Sequence, residues 1–244
     1  MTNKTSYKIR IQKVPCFLYL CLLTVLINLG FWQLQRAEQK QIALNHQKES
    51  LKAEVVRLSS SSEVYDVESI RYKMVNTQGY YDTQHQFLID NQIRGGKAGY
   101  FVLTPLLLKD EKKAVLINRG WLPINQDRTV LPELTVKVDL RDIEGRVNSF
   151  PSVGIKLKGA ETPTDTWPSV VQVVDSDILA KKLGYPLFDF QIELNKNVPD
   201  GFVREWQTTR IMLPEQHQAY ALQWFALAIT LTVGFIILSM KKHQ

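Results

Sequence analysis

Residues 14–32 read VPCFLYLCLLTVLINLGFW, and residues 220–240 read YALQWFALAITLTVGFIILSM. Neither stretch contains Asp, Glu, Lys, Arg or His. At a helical rise of about 1.5 Å per residue they extend roughly 28 and 31 Å, close to the ~30 Å of a bilayer's hydrocarbon core. Lipid offers no partners for backbone N–H and C=O groups, so a spanning segment of this kind has to be helical. No small-residue cleavage site follows the first stretch, and the charged residues after it keep a helical pattern. The expected architecture is therefore two transmembrane helices flanking one large intervening domain.

The charges give the orientation. Lys4, Lys8, Arg10 and Lys13 precede the first stretch, Lys241 and Lys242 follow the second, and neither flank holds an acid. These six bases equal the formal net charge of +6, which leaves 24 bases against 24 acids between the spans. Cytoplasmic flanks accumulate Lys and Arg, so both termini are expected in the cytoplasm and the middle outside it. The neutral middle argues against nucleic acid as a partner. Cys16 and Cys21 both lie in the first span, so the domain has no disulfide and no Cys pair for a metal. The first span begins too early for an amphipathic transit peptide, which favours a bacterial inner membrane.

The expected divisions follow. Residues 1–13 form a basic cytoplasmic tail and 14–32 the first span. Residues 33–62 form a projecting helix and a linker at Ser59 to Ser62. Residues 63–219 form a β-rich periplasmic domain, 220–240 the second span and 241–244 a cytoplasmic tail. Within the domain, short runs at 71–81, 86–93, 100–108, 114–122, 139–148, 170–174 and 188–194 carry β-branched or aromatic residues bounded by turn formers. Gly95-Gly96 and Lys109-Asp110 read as hairpin connections. Residues 177–183 read as a short helix with Ser176 as N-cap and Gly184 beyond its end. The fold class is a membrane protein with two helices around a barrel- or sandwich-like α+β domain.

No P-loop, G-x-G-x-x-G, G-x-S-x-G or H-E-x-x-H occurs, and no spacing singles out an acid/base pair. The chain is not expected to be an enzyme. Of four histidines, His46 and His243 read as solvated and His85 as exposed at the start of a strand. His217 stands three residues before the second span. If that helix already includes it, Ala221, Trp224 and Ala228 fall within about 40° of His217 around the axis. The stripe offers a nitrogen ligand, small residues and an indole, suited to a flat tetrapyrrole whose iron His217 would ligate. It reads equally as interfacial aromatics at a membrane boundary. Trp32 is expected level with His217 and Tyr220, and Gly30 should let the second helix approach closely. Arg36, Arg204 and Arg210 are candidates for carboxylates at that level, each with snorkelling or a domain acid as the plainer use. Arg119 reads as a structural residue paired with a buried acid, or as a charge offered to a partner.

Five stretches in order carry a family resemblance. They are 29–36 (LGFWQLQR) with Lys40, 99–105 (GYFVLTP), 118–123 (NRGWLP), 201–206 (GFVREW) and 214–225 (PEQHQAYALQWF). Together they resemble the Surfeit locus protein one family of cytochrome oxidase assembly factors, in its bacterial form. Glu215-Gln216 and Gln223 stand where many members carry Asn-Asn and Thr, and the stretch 144–147 matches loosely. The resemblance implies maturation of a heme-copper terminal oxidase, with transient binding of heme a and its delivery to the large oxidase subunit. It implies His217 and Trp224 as cofactor-binding residues, His217 as the ligand to iron, and heme a synthase as a further partner beside the lipid bilayer. The alternative is a cofactor-free membrane scaffold that holds oxidase subunits together.

Overall fold

The computed structural model describes residues 7–9, 12–59, 65–109, 113–152, 154, 157–206 and 212–242. The chain divides into two compact units. One comprises Met1–His46 and Thr208–Gln244, the other Gln47–Gln207.

The first unit is a helical pair. Strand β1 (Tyr7–Ile9) precedes helix α1 (Lys13–Ser50), and helix α4 (Pro214–Ser239) precedes strand β10 (Met240–Lys242). Helix α1 has one proline, Pro15, and it lies in the first turn, where a missing N–H costs nothing. The helix continues through the polar residues after Trp32 and stops at Ser50, eight residues short of the expected helical stretch's end near Leu58. Helix α4 opens with Pro214 at its first position. The Gln216 side chain folds back to accept a hydrogen bond from Leu213 N–H at 2.9 Å. The last helical residue is Ser239, and Met240–Lys242 pairs antiparallel with Tyr7–Ile9. Both helices are long and apolar enough to cross a membrane.

The α1 residues turned toward α4 are Tyr19, Leu23, Leu26, Gly30, Gln33 and Ala37, a 4-3-4-3-4 spacing that keeps one seam in register. Leu26 and Ala37 are buried. The Tyr19 ring stacks on Phe235 at 4.3 Å, and its hydroxyl lies 3.1 Å from Thr232 Oγ1. Phe31 meets Phe225 edge-on at 5.5 Å. A Cβ on Gly30 would fall 2.5 Å from the Phe225 ring, so Gly30 does permit the close approach expected of it.

The second unit is a mixed sheet. Its elements in chain order are β2 (Val56–Arg57), α2 (Val67–Ile70), β3 (Met74–Tyr81), β4 (Phe87–Arg94), β5 (Lys97–Leu108), β6 (Ala114–Pro123), β7 (Leu140–Asn148), β8 (Ser169–Val171), α3 (Ser176–Leu183) and β9 (Leu187–Leu194). All seven expected strands are present, with ends shifted by a few residues. The first begins at Met74 rather than Arg71 because Tyr72 takes a positive φ of 65°, incompatible with a strand. The strand order is β2-β3-β7-β9-β6-β5-β4-β8. The pairs β2–β3, β4–β8 and β6–β9 are parallel.

Strand β5 is long enough to serve two neighbours on one edge: its first part pairs β4 and its end pairs β3. The pairings β3–β7–β9–β6–β5 thereby return to β3. Strand β6 sits between β5 and β9 and is buried over its first eight residues, as its near-continuous apolar run requires. One core gathers Val75, Ile117, Ile143, Val147, Phe190 and Ile192. A second packs α3 through Leu179 against Phe87, Leu103 and Leu116.

Gly95 (φ 52°) and Gly96 (φ 77°) make the two-residue turn from β4 to β5. Lys109-Asp110 lies where β5 turns toward β6, with Asp110 outside the described residues, as are Ser60, Ser61 and Ser62 of the expected linker. Helix α3 is capped by Asp175 instead of Ser176. The Asp175 carboxylate accepts from the N–H groups of Asp177 and Ile178, while Ser176 is already helical and donates to Asp189 at 2.8 Å. Gly184 ends the helix in the left-handed conformation expected.

Candidate functional site

His217 lies one turn into α4, because the helix starts at Pro214. That placement meets the condition for the stripe of His217, Ala221, Trp224 and Ala228. The structure sets this stripe against α1. Ala221 is 1% exposed, Ala228 6% and His217 8%. They form the side of α4 packed on α1, and Trp224 beside them is partly buried. The small residues at Ala221 and Ala228 let the two helices meet.

His217 itself is held by one contact. Its Nδ1 lies 2.7 Å from Oε1 of Gln33, 184 residues away in sequence. An amide oxygen only accepts, so this contact calls for a proton on Nδ1, and in the neutral imidazole the lone pair is then on Nε2. No hydrogen bond occupies Nε2 among the described residues. A ring held by its Nδ1–H with Nε2 unprotonated is the form in which histidine ligates metals. The donor chemistry therefore fits heme iron, which His217 would ligate. No group of three or more His, Cys, Asp or Glu side chains able to hold a bare metal ion occurs among the described residues. Gln33 lay within the quoted 29–36 stretch, but nothing in its spacing singled it out; only the opposing helix gives it a role.

The Gln33–His217 contact sets Trp32 level with the start of α4. Trp32 and Tyr220 are both about half exposed, at 46% and 45%. The Arg36 guanidinium lies over the Trp32 ring at 5.6 Å and donates to Gln39 Oε1 at 3.1 Å. Trp32, Arg36 and Lys40 share one side of α1 as expected. Arg210 lies outside the described residues. Arg204 belongs to the sheet unit, where its Nη1 donates to the carbonyls of Asn195 and Val198.

Residues of the 99–105, 118–123 and 201–206 stretches converge on Arg119. It is 1% exposed. Its Nε donates to Asp200 O at 2.8 Å, Nη1 to Gln86 Oε1 at 2.9 Å and Nη2 to Thr135 O at 3.1 Å. Thr104 donates to the same Gln86 oxygen at 2.7 Å. Phe202 of the 201–206 stretch covers the guanidinium at 4.9 Å. Arg119 thus pairs with carbonyl and amide oxygens rather than a buried acid, and it offers no charge outward. Burial lowers its pKa, and the neighbouring Tyr81 and Asp200 oppose that shift. Asn118 donates to Gln191 at 2.9 Å, and Trp121 Nε1 donates to Gln92 O at 2.7 Å. The 99–105 and 118–123 stretches are structural.

His85 is neither free nor at the start of a strand. It sits in the β3–β4 connection, half-buried, with Nδ1 2.7 Å from Asp82 Oδ2. Tyr185 donates to that oxygen at 2.8 Å, and Trp167 lies edge-on to the imidazole at 4.7 Å.

The fold and site define a class: a sheet-rich domain joined to a pair of long apolar helices with one histidine fixed between them. The sequence model of the SURF1 family matches residues 20–229. A SURF1-like protein of Rickettsia felis is 26% identical over 226 residues, covering 88% of this chain and 92% of its own length. Surfeit locus protein 1 of Arabidopsis thaliana is 23% identical, covering 85% of this chain and 73% of its own. Surfeit locus protein 1 of Rattus norvegicus is 22% identical, covering 82% and 67%. The chain belongs to the SURF1 family, known generally as cytochrome oxidase assembly factors.

Proposed function

We propose that this chain matures a heme-copper terminal oxidase in a bacterial inner membrane, by holding heme a through His217 and passing it to the large oxidase subunit. In this reading α1 and α4 cross the bilayer, both termini face the cytoplasm and the sheet unit faces the periplasm. The pairing of β1 with β10, which brings the two basic flanks to one end of the helical pair, supports that topology. Heme a synthase is the source of the cofactor, and the large oxidase subunit is its recipient.

The observation that carries the proposal is the 2.7 Å contact between His217 Nδ1 and Gln33 Oε1. When bound, heme a supplies the redox iron of the finished oxidase. The chain's part is to bind and release it. Gln33 holds the imidazole in the tautomer that leaves Nε2 free to ligate, and the α1–α4 contact fixes the ring. Trp224, seven residues on, brings an indole to the same side of α4. A single nitrogen ligand from the protein would suit transfer, because a second strong ligand would slow release. The test is the Soret absorbance of protein purified from cells that make heme a. Wild type should carry heme and His217→Ala should lose it; equal heme content in both removes His217 from the mechanism.

The burial of Ala221 and Ala228 favours a second reading, a cofactor-free scaffold for oxidase subunits, since the stripe is already filled by α1. It requires that His217→Ala mature oxidase at the wild-type rate, whereas substitutions that separate α1 from α4 do not.

A further inference from the structure

Helix α1 has a second seam, which runs along the side away from α4 except at its border, where Phe31 also meets Phe225 of α4. Phe17, Cys21, Thr24, Asn28, Phe31 and Gln35 follow one another at spacings of 4, 3, 4, 3 and 4 residues, the pattern that keeps a left-handed helix pair in register. All six are exposed, Phe17 at 66% and Phe31 at 58%. From Thr24 to Gln35 the seam lines an open groove of about 480 Å³, bordered by Trp32. In its middle stands a carboxamide. Asn28 Nδ2 donates to Thr24 O at 2.8 Å, which uses one of its two hydrogens. Among the described residues nothing donates to Asn28 Oδ1.

Asn28 lies five residues from the centre of the apolar stretch 14–32, about 7 Å along the axis and still within the hydrocarbon. An amide oxygen without a donor is costly there, and polar side chains in such segments turn toward protein instead of lipid. The occupant of the groove therefore presents a hydrogen-bond donor at that depth. A second copy of this chain meets the requirement without further condition. Two copies in one membrane have the same orientation, so their α1 helices run parallel and each Asn28 sits at the depth of the other. A carboxamide is self-complementary: the spare N–H of one Asn28 is donated to the open Oδ1 of the other. A lone Asn at a core position of a parallel pair also fixes register and number of strands.

We infer that the Cys21–Asn28–Gln35 face of α1 is a homodimer interface, closed by a hydrogen bond between the Asn28 side chains of two copies. The inference rests on the membrane-spanning reading above and is independent of heme. Cys21 is exposed and about 20° from Asn28 around the helix, whereas Cys16 is about 120° away and partly covered. A symmetric parallel pair therefore brings Cys21 against Cys21.

The experiment uses the full chain in its own membranes, washed with alkaline carbonate and then oxidised with copper phenanthroline. Wild type and Cys16→Ser should form a disulfide-linked dimer, and Cys21→Ser should form none. Asn28→Leu should lower the dimer yield by roughly threefold or more, the factor one interhelical hydrogen bond supplies in lipid. Carbonate-resistant protein that gives no Cys21-dependent dimer, that links Cys21 to a different protein, or that dimerises equally well as Asn28→Leu overturns the interface and leaves the membrane reading standing. Extraction of the wild-type chain by carbonate overturns both.

Discussion

The imidazole of His217 and the carboxamide of Gln33 lie 2.7 Å apart, one from each long apolar helix. This hydrogen bond crosses a seam that is otherwise largely apolar, with Leu23, Leu26, Gly30 and Ala37 on the α1 side and the Tyr19–Thr232 contact near its other end. Its loss leaves an imidazole N–H without a partner at a buried position, which costs about 1–3 kcal/mol. Gln33→Leu is expected to lower the unfolding midpoint of the full chain in detergent, and Gln33→Glu to retain most of the stability because a carboxylate still accepts. If His217 ligates heme a, Gln33→Leu should also reduce heme retention about 10- to 100-fold, the usual effect of removing the group that orients a histidine ligand. Denaturant titration and Soret absorbance on the same samples check the two effects.

A larger side chain at Gly30 separates the helices. The Phe225 ring occupies the space that a Cβ would need. Gly30→Leu is expected to cost about 1–3 kcal/mol in overpacking. Phe225→Ala in the same chain should restore the contact in part. Disulfide formation between cysteines placed at Tyr19 and Phe235, whose rings stack, reports the pairing directly. Yields should fall in the single variant and recover in the double one.

The parts legible in the sequence were those with a period. Strands β3 to β7 and β9 alternate or run apolar between turn residues, and the two long helices announce themselves by absence of charge. What escaped were contacts between residues far apart in sequence. Gln33 has no marker of its own, and its partner is 184 residues away. Strand β2 is two residues long, too short for any period to show, and it exists because β3 offers it an edge. Arg119 looked like half of an ion pair because buried cations usually are; its ligands are carbonyls of loops whose path no local pattern fixes. The stripe on α4 is one side of a helix, as its spacing indicates, but that α1 lies against it depends on residues far away in the chain. Asp175 displaced Ser176 as the cap of α3 because its carboxylate reaches two backbone N–H groups at once.

Arg119 is the hydrogen-bonding centre of the sheet unit. Arg119→Met would leave Asp200 O and Thr135 O without a donor in the interior, while Gln86 Oε1 would keep only the Thr104 hydroxyl. The expected destabilisation is about 3–5 kcal/mol, since several buried acceptors are orphaned together. Arg119→Lys should recover little of it. An ammonium carries three donors on one atom and cannot span carbonyls arranged around a planar fork, nor stack against Phe202 as the guanidinium does. Far-ultraviolet circular dichroism during denaturation, in which helix and sheet have different spectra, distinguishes loss of the sheet from loss of the helical pair.

Asp82 gives the sheet unit an acid-sensitive clasp. Burial pushes its carboxyl pKa up, but hydrogen bonds from His85, Tyr185 and the Gln84 N–H together hold it below the ordinary value. A carboxyl depressed on folding contributes stability above its unfolded pKa and loses it as the pH falls through the folded one. The contribution is therefore complete at neutral pH and fades only below about pH 4, the ordinary carboxylate range. Asp82→Asn keeps the size but offers a single acceptor oxygen to donors that converge on two, and it removes the charge. Charge-assisted bonds of this kind contribute about 1.5–3 kcal/mol each, so the variant is expected to lose about 2–3 kcal/mol at pH 7. The gap between wild type and variant should narrow as the solution is acidified, because protonation takes from wild type what the substitution has already removed. Unfolding free energies measured for both chains from pH 7 down to pH 3 trace that convergence; two parallel curves would mean that the Asp82 charge contributes nothing to the clasp.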